Sequence, residues 1–337
     1  MSEPFPSASK DVACRVREVP DQGQVGTMEV RLWSSHCPCY RNCGWGSAMG
    51  RAGSFLLLVI AWLTFAPTSA SGNSDADAEY REFPIKIYQG YLIVVEGSVG
   101  DAQGLSFLLD TGASNSAIDR RLAEKFALPR TRIRVINFDK AVALESCEVP
   151  QLTYGPEHAS HVRLLVGDLS YLRASGVQVD GVIGLDLLRR KNFLVDYARK
   201  FVRFGGTENQ GMSAVPMRAD AILLRVGVEL GGKSIWMIVD TGTRETVMYR
   251  DRIENMVADY RVEGRTMGRS LGGAVESQLA VVPRLRLGGK DLEREVVLVR
   301  APEGPVLPDV AGYLGPVSLK AKQVAFDFEK NQLLWTR

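Results

Sequence analysis

The chain has 337 residues, with 41 Lys and Arg against 39 Asp and Glu and a net charge of +2. No basic stripe runs along it, so nothing indicates a nucleic-acid partner. At 45% hydrophobic residues it can bury a sizeable core, and its length leaves room for two domains.

Met49-Gly-Arg51 precedes an apolar run from Phe55 to Ala66, and Pro67-Thr-Ser-Ala70 follows it. A short basic start, an apolar core of about 12 residues and small residues at a cut site make a secretory signal. That core falls short of the about 20 apolar residues that a membrane span needs. The expectation is a signal over 49–70, cleaved near Ala70, and an exported protein, periplasmic or extracellular. The alternative is an uncleaved anchor, and only that would bring in the membrane. A signal stands at an N-terminus, so residues 1–48 read as an upstream segment and Met49 as the true start. Cys14, Cys37, Cys39 and Cys43 all fall in that segment, at spacings that make no tetrahedral metal set. Only Cys147 lies further on, in a predicted strand, as a small buried hydrophobe. Residues 71–82 are polar and acidic, a flexible leader.

From residue 83 the pattern is that of short strands: 85–88, 91–99 and 105–109, separated by glycine turns. The run Phe107-Leu-Leu-Asp110-Thr-Gly-Ala-Ser114 puts a carboxylate where a buried strand ends. Residues 117–126 carry helical spacing (Ile118, Leu122, Phe126) and stop before Pro129. A hairpin is expected from 131–137 and 141–149, turning near Asp139-Lys140. Strands around 152, 162–166 and 179–183 lead to a short helix at 185–190. Strands at 193–197 and 200–204 close a first lobe over 83–204. Residues 205–218 are glycine-rich and polar and read as a linker. A second lobe then occupies 219–337, with its own hairpin turn at Leu271-Gly-Gly273. Little reads as helix; the class is mostly β.

The second lobe repeats the first. Met237-Ile-Val-Asp240-Thr-Gly-Thr-Arg244 stands 130 residues after the first Asp-Thr-Gly. Val149-Pro150-x-Leu152-x-x-Gly155 recurs as Val282-Pro283-x-Leu285-x-x-Gly288, and Gly181-Val-Ile-Gly184 as Gly312-Tyr-Leu-Gly315. Val195-Asp196-Tyr197 recurs as Phe326-Asp327-Phe328. One Asp-Thr-Gly after an apolar strand is a weak signal, but two in matching order mark two copies of one fold unit.

If the copies pack about a pseudo-two-fold axis, Asp110 and Asp240 meet face to face. Two carboxylates that close share one proton and titrate as a pair. The ionised one can take a proton from a water held between them, while the other polarises a substrate carbonyl. Gly112 and Gly242 let each loop turn sharply and approach its partner closely. Thr111 and Thr241 can hydrogen-bond across the axis. The hairpins, at Asp139-Lys140 and Gly272-Gly273, are placed to close over an extended peptide in strand fashion.

These residues resemble the retropepsin-like aspartic proteases in their bacterial, exported, two-copy form. The resemblance rests on the two Asp-Thr-Gly loops, on Asp180-Gly-Val-Ile-Gly184-Leu-Asp-Leu-Leu188, and on Leu194-Val-Asp196-Tyr197 with Phe201-Val-Arg-Phe204. It implies a two-lobed β fold from one chain, and peptide-bond hydrolysis by water activated between Asp110 and Asp240. It also implies that Val182-Ile-Gly184 and Tyr313-Leu-Gly315 pack beneath the aspartate loops. No cofactor or metal is expected, the partner is a peptide or protein substrate, and the protein should be a two-lobed monomer. The alternative is an inactive peptide-binding protein on the same fold.

The departures gather in the second copy. Ala311-Gly-Tyr-Leu-Gly-Pro-Val317 replaces the first copy's Asp180-Gly-Val-Ile-Gly-Leu-Asp186, and Thr243-Arg244-Glu245 follows the aspartate. A cation from Arg244 beside the dyad would favour ionisation, unless it faces solvent or pairs with Glu245. Neither hairpin has a tyrosine at its tip of the kind seen in pepsin-like enzymes. Gly268-Arg-Ser270-Leu-Gly272 matches a serine-hydrolase elbow, but that needs a strand-turn-helix setting and a later histidine. The histidines are His36, His158 and His161, all earlier. His158-x-x-His161 lacks a third metal ligand nearby and reads as a solvated loop.

Overall fold

A computed structural model describes residues 81–137, 140–207, 211–219, 223–254, 256–257, 260–270, 273–299 and 309–337. The upstream segment, the signal-like stretch and the leader as far as residue 80 lie outside the described residues. So do Asp139 and Gly272.

The first copy opens with β1 (Glu82–Pro84), β2 (Lys86–Tyr88), β3 (Leu92–Val99), β4 (Ala102–Leu109) and β5 (Ala117–Asp119), then helix α1 (Arg120–Lys125). It continues with β6 (Arg130–Asn137), β7 (Lys140–Tyr154), β8 (Glu157–Gly167), helix α2 (Ser170–Ala174) and β9 (Gly181–Ile183). Helix α3 (Leu185–Leu188), β10 (Phe193–Asp196) and β11 (Phe201–Phe204) close it. The second copy has β12 (Ser213–Ala219), β13 (Leu224–Leu230), β14 (Lys233–Val239), β15 (Thr246–Tyr249), α4 (Arg250–Ile253), β16 (Arg261–Ser270) and β17 (Gly273–Val281). It ends with β18 (Leu285–Leu287), β19 (Lys290–Asp291), β20 (Glu295–Val299), β21 (Val310–Leu314), α5 (Pro316–Leu319), β22 (Gln323–Asp327) and β23 (Gln332–Thr336). The protein is mostly β, as expected.

The duplication is visible in the wiring. The strand order β3-β4-β9-β5-β8-β7-β6 of one sheet reappears as β13-β14-β21-β15-β20-β17-β16 in the other. In both, the strand leading to the aspartate runs parallel to the Gly-x-x-Gly strand, which in turn runs antiparallel to the strand after the loop. The copies are stitched together by β10 and β22, the same strand of each copy, which pair antiparallel with Phe193 opposite Phe326 and Val195 opposite Val324. The Phe193 and Phe326 rings stack at 4.5 Å there.

Period-2 alternation decides what each strand buries. Phe107, Leu109 and Ile183 face the main core with Met237, Val239 and Leu314 of the second copy. The residues between them turn the other way: Leu108 and Val182 into one smaller apolar cluster, Ile238 and Tyr313 into its counterpart.

Local detail departs from the sequence pattern in four places. The helix expected over 117–126 begins only at Arg120, because Ala117 and Ile118 are buried between β8 and β9 as a strand. Asp119 ends that strand and caps the helix, accepting from the Arg121 amide at 3.1 Å. The second half of the expected linker is strand β12, held between β23 and β13. Strand β7 runs on through Pro150, whereas the matching Pro283 separates β17 from β18. His158 and His161 stand exposed on strand β8, not in a loop, and His161 lies 3.3 Å from Glu148. Ser270 ends a strand of a hairpin, the wrong setting for a serine nucleophile. Cys147 is buried in β7, and burial pushes its thiol up to about 11. No helix among the described residues is long and apolar enough to cross a membrane.

Candidate active site

Each aspartate sits one residue beyond the end of its strand, pinned by its own amide. The Asp110 N–H donates to the Ile183 carbonyl at 2.9 Å, and the Asp240 N–H to Leu314 at 3.1 Å. Both contacts continue a parallel ladder, so the hydrophobic-hydrophobic-Gly strand sets the height of the loop. Beneath the loops, a Cβ at Gly184 would overlap the Ala113 carbonyl, and one at Gly315 the Arg244 carbonyl. That is the packing the resemblance implied.

The two loops lock reciprocally. The Thr111 N–H donates to Thr241 Oγ1 at 3.0 Å, and the Thr241 N–H to Thr111 Oγ1 at 3.1 Å. Each hydroxyl in turn donates across the axis, Thr111 to the Val239 carbonyl and Thr241 to that of Leu109, both at 2.8 Å. Both threonines are buried, and every polar atom in this lattice has its partner.

Gly112 and Gly242 are required by proximity rather than by backbone angle. A Cβ on Gly112 would overlap the Asp240 carboxylate, and one on Gly242 would overlap that of Asp110. The loops therefore bring the two carboxyl groups together, each backed by the other loop's glycine. Asp110 Oδ1 accepts from the Gly112 and Ala113 amides at 2.9 and 3.2 Å, and Asp240 Oδ1 from Gly242 at 2.7 Å.

Burial raises the pKa of both aspartates, and the pair is joined by a hydrogen bond. Asp240 is raised further, because the Asp110 charge and the hydrogen bond it donates to Asp110 add to its burial. For Asp110 that same hydrogen bond and the two loop amides work against burial. The two carboxyl groups therefore hold one proton between them and titrate as a pair.

A duplicated strand order and two facing Asp-Thr-Gly loops agree with what comparison with known proteins finds. An aspartyl protease family model matches residues 95–187 and 226–315, together more than half of the chain and once in each copy. The chain belongs to the aspartyl protease family. The match is retropepsin-like and falls in two segments, as the duplication requires. A search of curated protein sequences found no match.

Of the residues singled out from sequence, Asp110, Thr111, Gly112, Asp240, Thr241 and Gly242 come together at this aspartyl protease dyad. Of the hairpin residues, Asp139 and Gly272 lie outside the described residues. Lys140 opens β7 opposite Asn137 and Gly273 opens β17 opposite Ser270, so both flank hairpin turns. Arg244 pairs with Glu245 at 2.9 Å on the exposed surface, which resolves the alternatives for that cation.

Sequence reasoning missed the support behind Asp110. Ser116 donates to Asp186 Oδ1 through both its amide (2.9 Å) and its hydroxyl (2.7 Å), and its Oγ accepts from the Gly184 amide at 3.0 Å. Asp186 stood within the quoted motif, and its pairing with Ser116 needed coordinates. Burial raises the pKa of Asp186. Tyr91 and Tyr171 were missed as well; no motif contains them, and only the fold carries them to the dyad.

Proposed function

We propose that this aspartyl protease family member is an active endopeptidase, with Asp110 and Asp240 as its catalytic pair. The observation that carries the reading is the reciprocal threonine lattice, which holds the buried Asp240 and the partly buried Asp110 with their carboxyl groups in hydrogen-bonding contact. Such a lattice would have no need to keep all four groups satisfied merely to cap two strands.

In this reading, Asp110 is ionised and Asp240 protonated at the start. Asp110 takes a proton from a water between the carboxyl groups as the water oxygen attacks the peptide carbonyl carbon. Asp240 gives its proton to the carbonyl oxygen, and a neutral tetrahedral diol forms. Collapse breaks the C–N bond: the amine leaves with the proton held by Asp110, and a diol hydroxyl returns its proton to Asp240. One proton shared between two carboxylates is the general pattern of aspartic proteases as a class.

Cleavage of a peptide library between about pH 3 and pH 7 tests the proposal, given that the unperturbed carboxylate lies near 3.9. The expected result is cleavage that disappears in both Asp110→Asn and Asp240→Asn. Folded protein that binds peptides without cutting them at any pH would favour the inactive peptide-binding reading instead. Export through the 49–70 signal is part of the proposal, and N-terminal sequencing of the native product tests it.

A further inference from the structure

The loop that carries Asp110 is gripped from beneath at Asp110, Ala113 and Ser116, every third residue along it. The Asp110 amide donates to the Ile183 carbonyl at 2.9 Å. The Ala113 carbonyl accepts from the Leu185 amide at 2.8 Å. Ser116 donates both its amide and its hydroxyl to Asp186 Oδ1, at 2.9 and 2.7 Å, and its Oγ accepts from the Gly184 amide at 3.0 Å. The gripping residues run consecutively from Ile183 to Asp186, where strand β9 ends and helix α3 begins.

Among the described residues, the second copy keeps the first of these grips and shows neither of the others. The Asp240 amide donates to the Leu314 carbonyl at 3.1 Å. Leu185, however, is matched by Pro316, and proline has no N–H to offer the Thr243 carbonyl. Asp186 is matched by Val317, whose side chain accepts nothing. Thr246 stands where Ser116 does; it is fully buried, and its Oγ1 has no partner among the described residues.

In the first copy Asp186 orders the whole arrangement. The one hydroxyl hydrogen of Ser116 goes to Asp186, which leaves an Oγ lone pair for the Gly184 amide. A half-buried carboxylate that takes two hydrogen bonds on one oxygen is a strong, charge-assisted acceptor. What it holds is the far end of the catalytic loop. Between Ser116 and Asp110 lies Ala113, whose amide donates to Asp110 Oδ1 at 3.2 Å beside the 2.9 Å bond from Gly112. Ala113 is therefore fixed on both sides, its amide on Asp110 and its carbonyl on Leu185, while Ser116 anchors the chain as it leaves.

We propose that Asp186 is a positioning residue for the reaction: through Ser116 it holds the Asp110 loop, and with it the two amides that orient the Asp110 carboxylate for proton transfer. This inference rests on the proteolytic reading above. A catalytic group displaced by about 1 Å can cost about 100-fold in rate. Substrate contacts made elsewhere would stay intact, so the loss belongs in kcat and not in KM.

The test is cleavage of one peptide substrate by the parent protein, Asp186→Val, Asp186→Asn, Ser116→Ala and Val317→Ala, with kcat and KM measured separately. Each is assayed at a temperature where circular dichroism shows it fully folded, so lost stability does not enter the rate. Asp186→Val copies the second lobe and should lower kcat about tenfold to 100-fold with KM within about twofold. Ser116→Ala removes the hydroxyl link without touching Asp186; it should show the same split, and it carries the test if Asp186→Val does not fold. Asp186→Asn keeps an oxygen for Ser116 and should hold kcat within about fivefold, a neutral acceptor being weaker than a charged one. Val317→Ala alters the matched place that has no tie and should leave kcat within about twofold of the parent. Parental kcat in folded Asp186→Val or Ser116→Ala would overturn the proposal and leave Asp186 a prop for stability alone. An equal fall in Asp186→Asn or Val317→Ala would overturn it too, by detaching the effect from the Ser116 tie. Absence of cleavage that depends on Asp110 and Asp240 in the parent would instead overturn proteolysis, and the role of Asp186 with it.

Discussion

The loop around Asp110 and the loop around Asp240 agree where they touch and differ behind. At the axis, Thr111 and Thr241 exchange matching hydrogen bonds within 0.1 Å of each other. Behind Asp110, Ser116 is saturated by Asp186 and the Gly184 amide. Behind Asp240, Thr246 takes the place of Ser116 and Val317 that of Asp186, and Thr246 Oγ1 is buried with no partner among the described residues. A two-fold axis constrains only atoms that meet their own image. One layer out, each lobe need only be internally consistent, and the second lobe is less so.

The largest test of that comparison is removal of either aspartate. Asp110→Asn and Asp240→Asn should each lower kcat at least about 1,000-fold, the scale of a lost general acid or base. The double variant should be little worse than either one, because the pair acts as a unit. Residual activity in one single variant alone would mean that the axis is symmetric in shape only.

Next in size is the lattice itself. Thr111→Val or Thr241→Val strands an amide and a carbonyl of the opposite copy, at about 1–3 kcal/mol for each group left unpaired. The two substitutions should cost the same in urea unfolding. Unequal costs would show that one loop leans on the other.

Smaller, and sharper, is the layer behind. Ser116→Ala should destabilise by about 1–3 kcal/mol, since Asp186 and the Gly184 amide lose their shared partner. Thr246→Val removes a buried hydroxyl that satisfies nothing and should fall within about 0.5 kcal/mol of the parent or above it. Equal losses at Ser116 and Thr246 would erase the difference between the lobes.

This division also explains what could be read from the sequence. The Asp-Thr-Gly loops were legible because a repeat exposes positions under a shared constraint, and the close approach of Gly112 to Asp240 leaves no other residue possible there. That the two sheets share one strand order agrees with the same repeat, but the order itself came only from the structure. Ala117 to Asp119 was not legible as a strand, because its helical spacing is identical to a short buried strand followed by a cap. Strand β12 hid in a polar stretch because its sheet partners, β23 and β13, flank it from both ends of the second copy. Tyr91 and Tyr171 carried no signal at all, and Tyr313 showed only as a member of the Gly312-Tyr-Leu-Gly315 repeat. Their bearing on the dyad is created by topology, which brings residues 91, 171 and 313 to the same two carboxylates.

The pH dependence of stability separates the pair from its surroundings more gently. Both aspartates have folded pKa values above the ordinary carboxylate range, Asp240 the more so. Stability from a raised carboxyl is full below its unfolded value and is lost as pH rises through the folded value. Asn cannot ionise, so Asp240→Asn should melt higher than the parent at pH 7 and approach it near pH 4, about where an unfolded carboxylate titrates. Thermal melts across that range give the sign directly. A gap that widens toward acid would mean that Asp240 is stabilised as the anion.

The smallest expected effect is at Arg244, for which the sequence left open a cation beside the dyad or one that faces solvent or pairs with Glu245. A cation four residues past a catalytic aspartate would lower that aspartate's pKa if its charge reached it. Arg244 instead ends in an exposed pair with Glu245, with side chains 57% and 41% exposed, and water screens both. Neither aspartate owes its shift chiefly to Arg244; burial leads for both, reinforced by the partner carboxyl at Asp240 and opposed at Asp110 by the hydrogen bonds from Asp240 and the loop amides. Arg244→Ala should therefore change stability by less than about 1 kcal/mol, the ordinary worth of an exposed ion pair. It should leave both limbs of the activity–pH profile in place, which titration of cleavage rate would check. A profile displaced toward higher pH would mean that the guanidinium turns inward when substrate binds. Thr243-Arg244-Glu245 would then belong to the cleft rather than to the surface of one lobe.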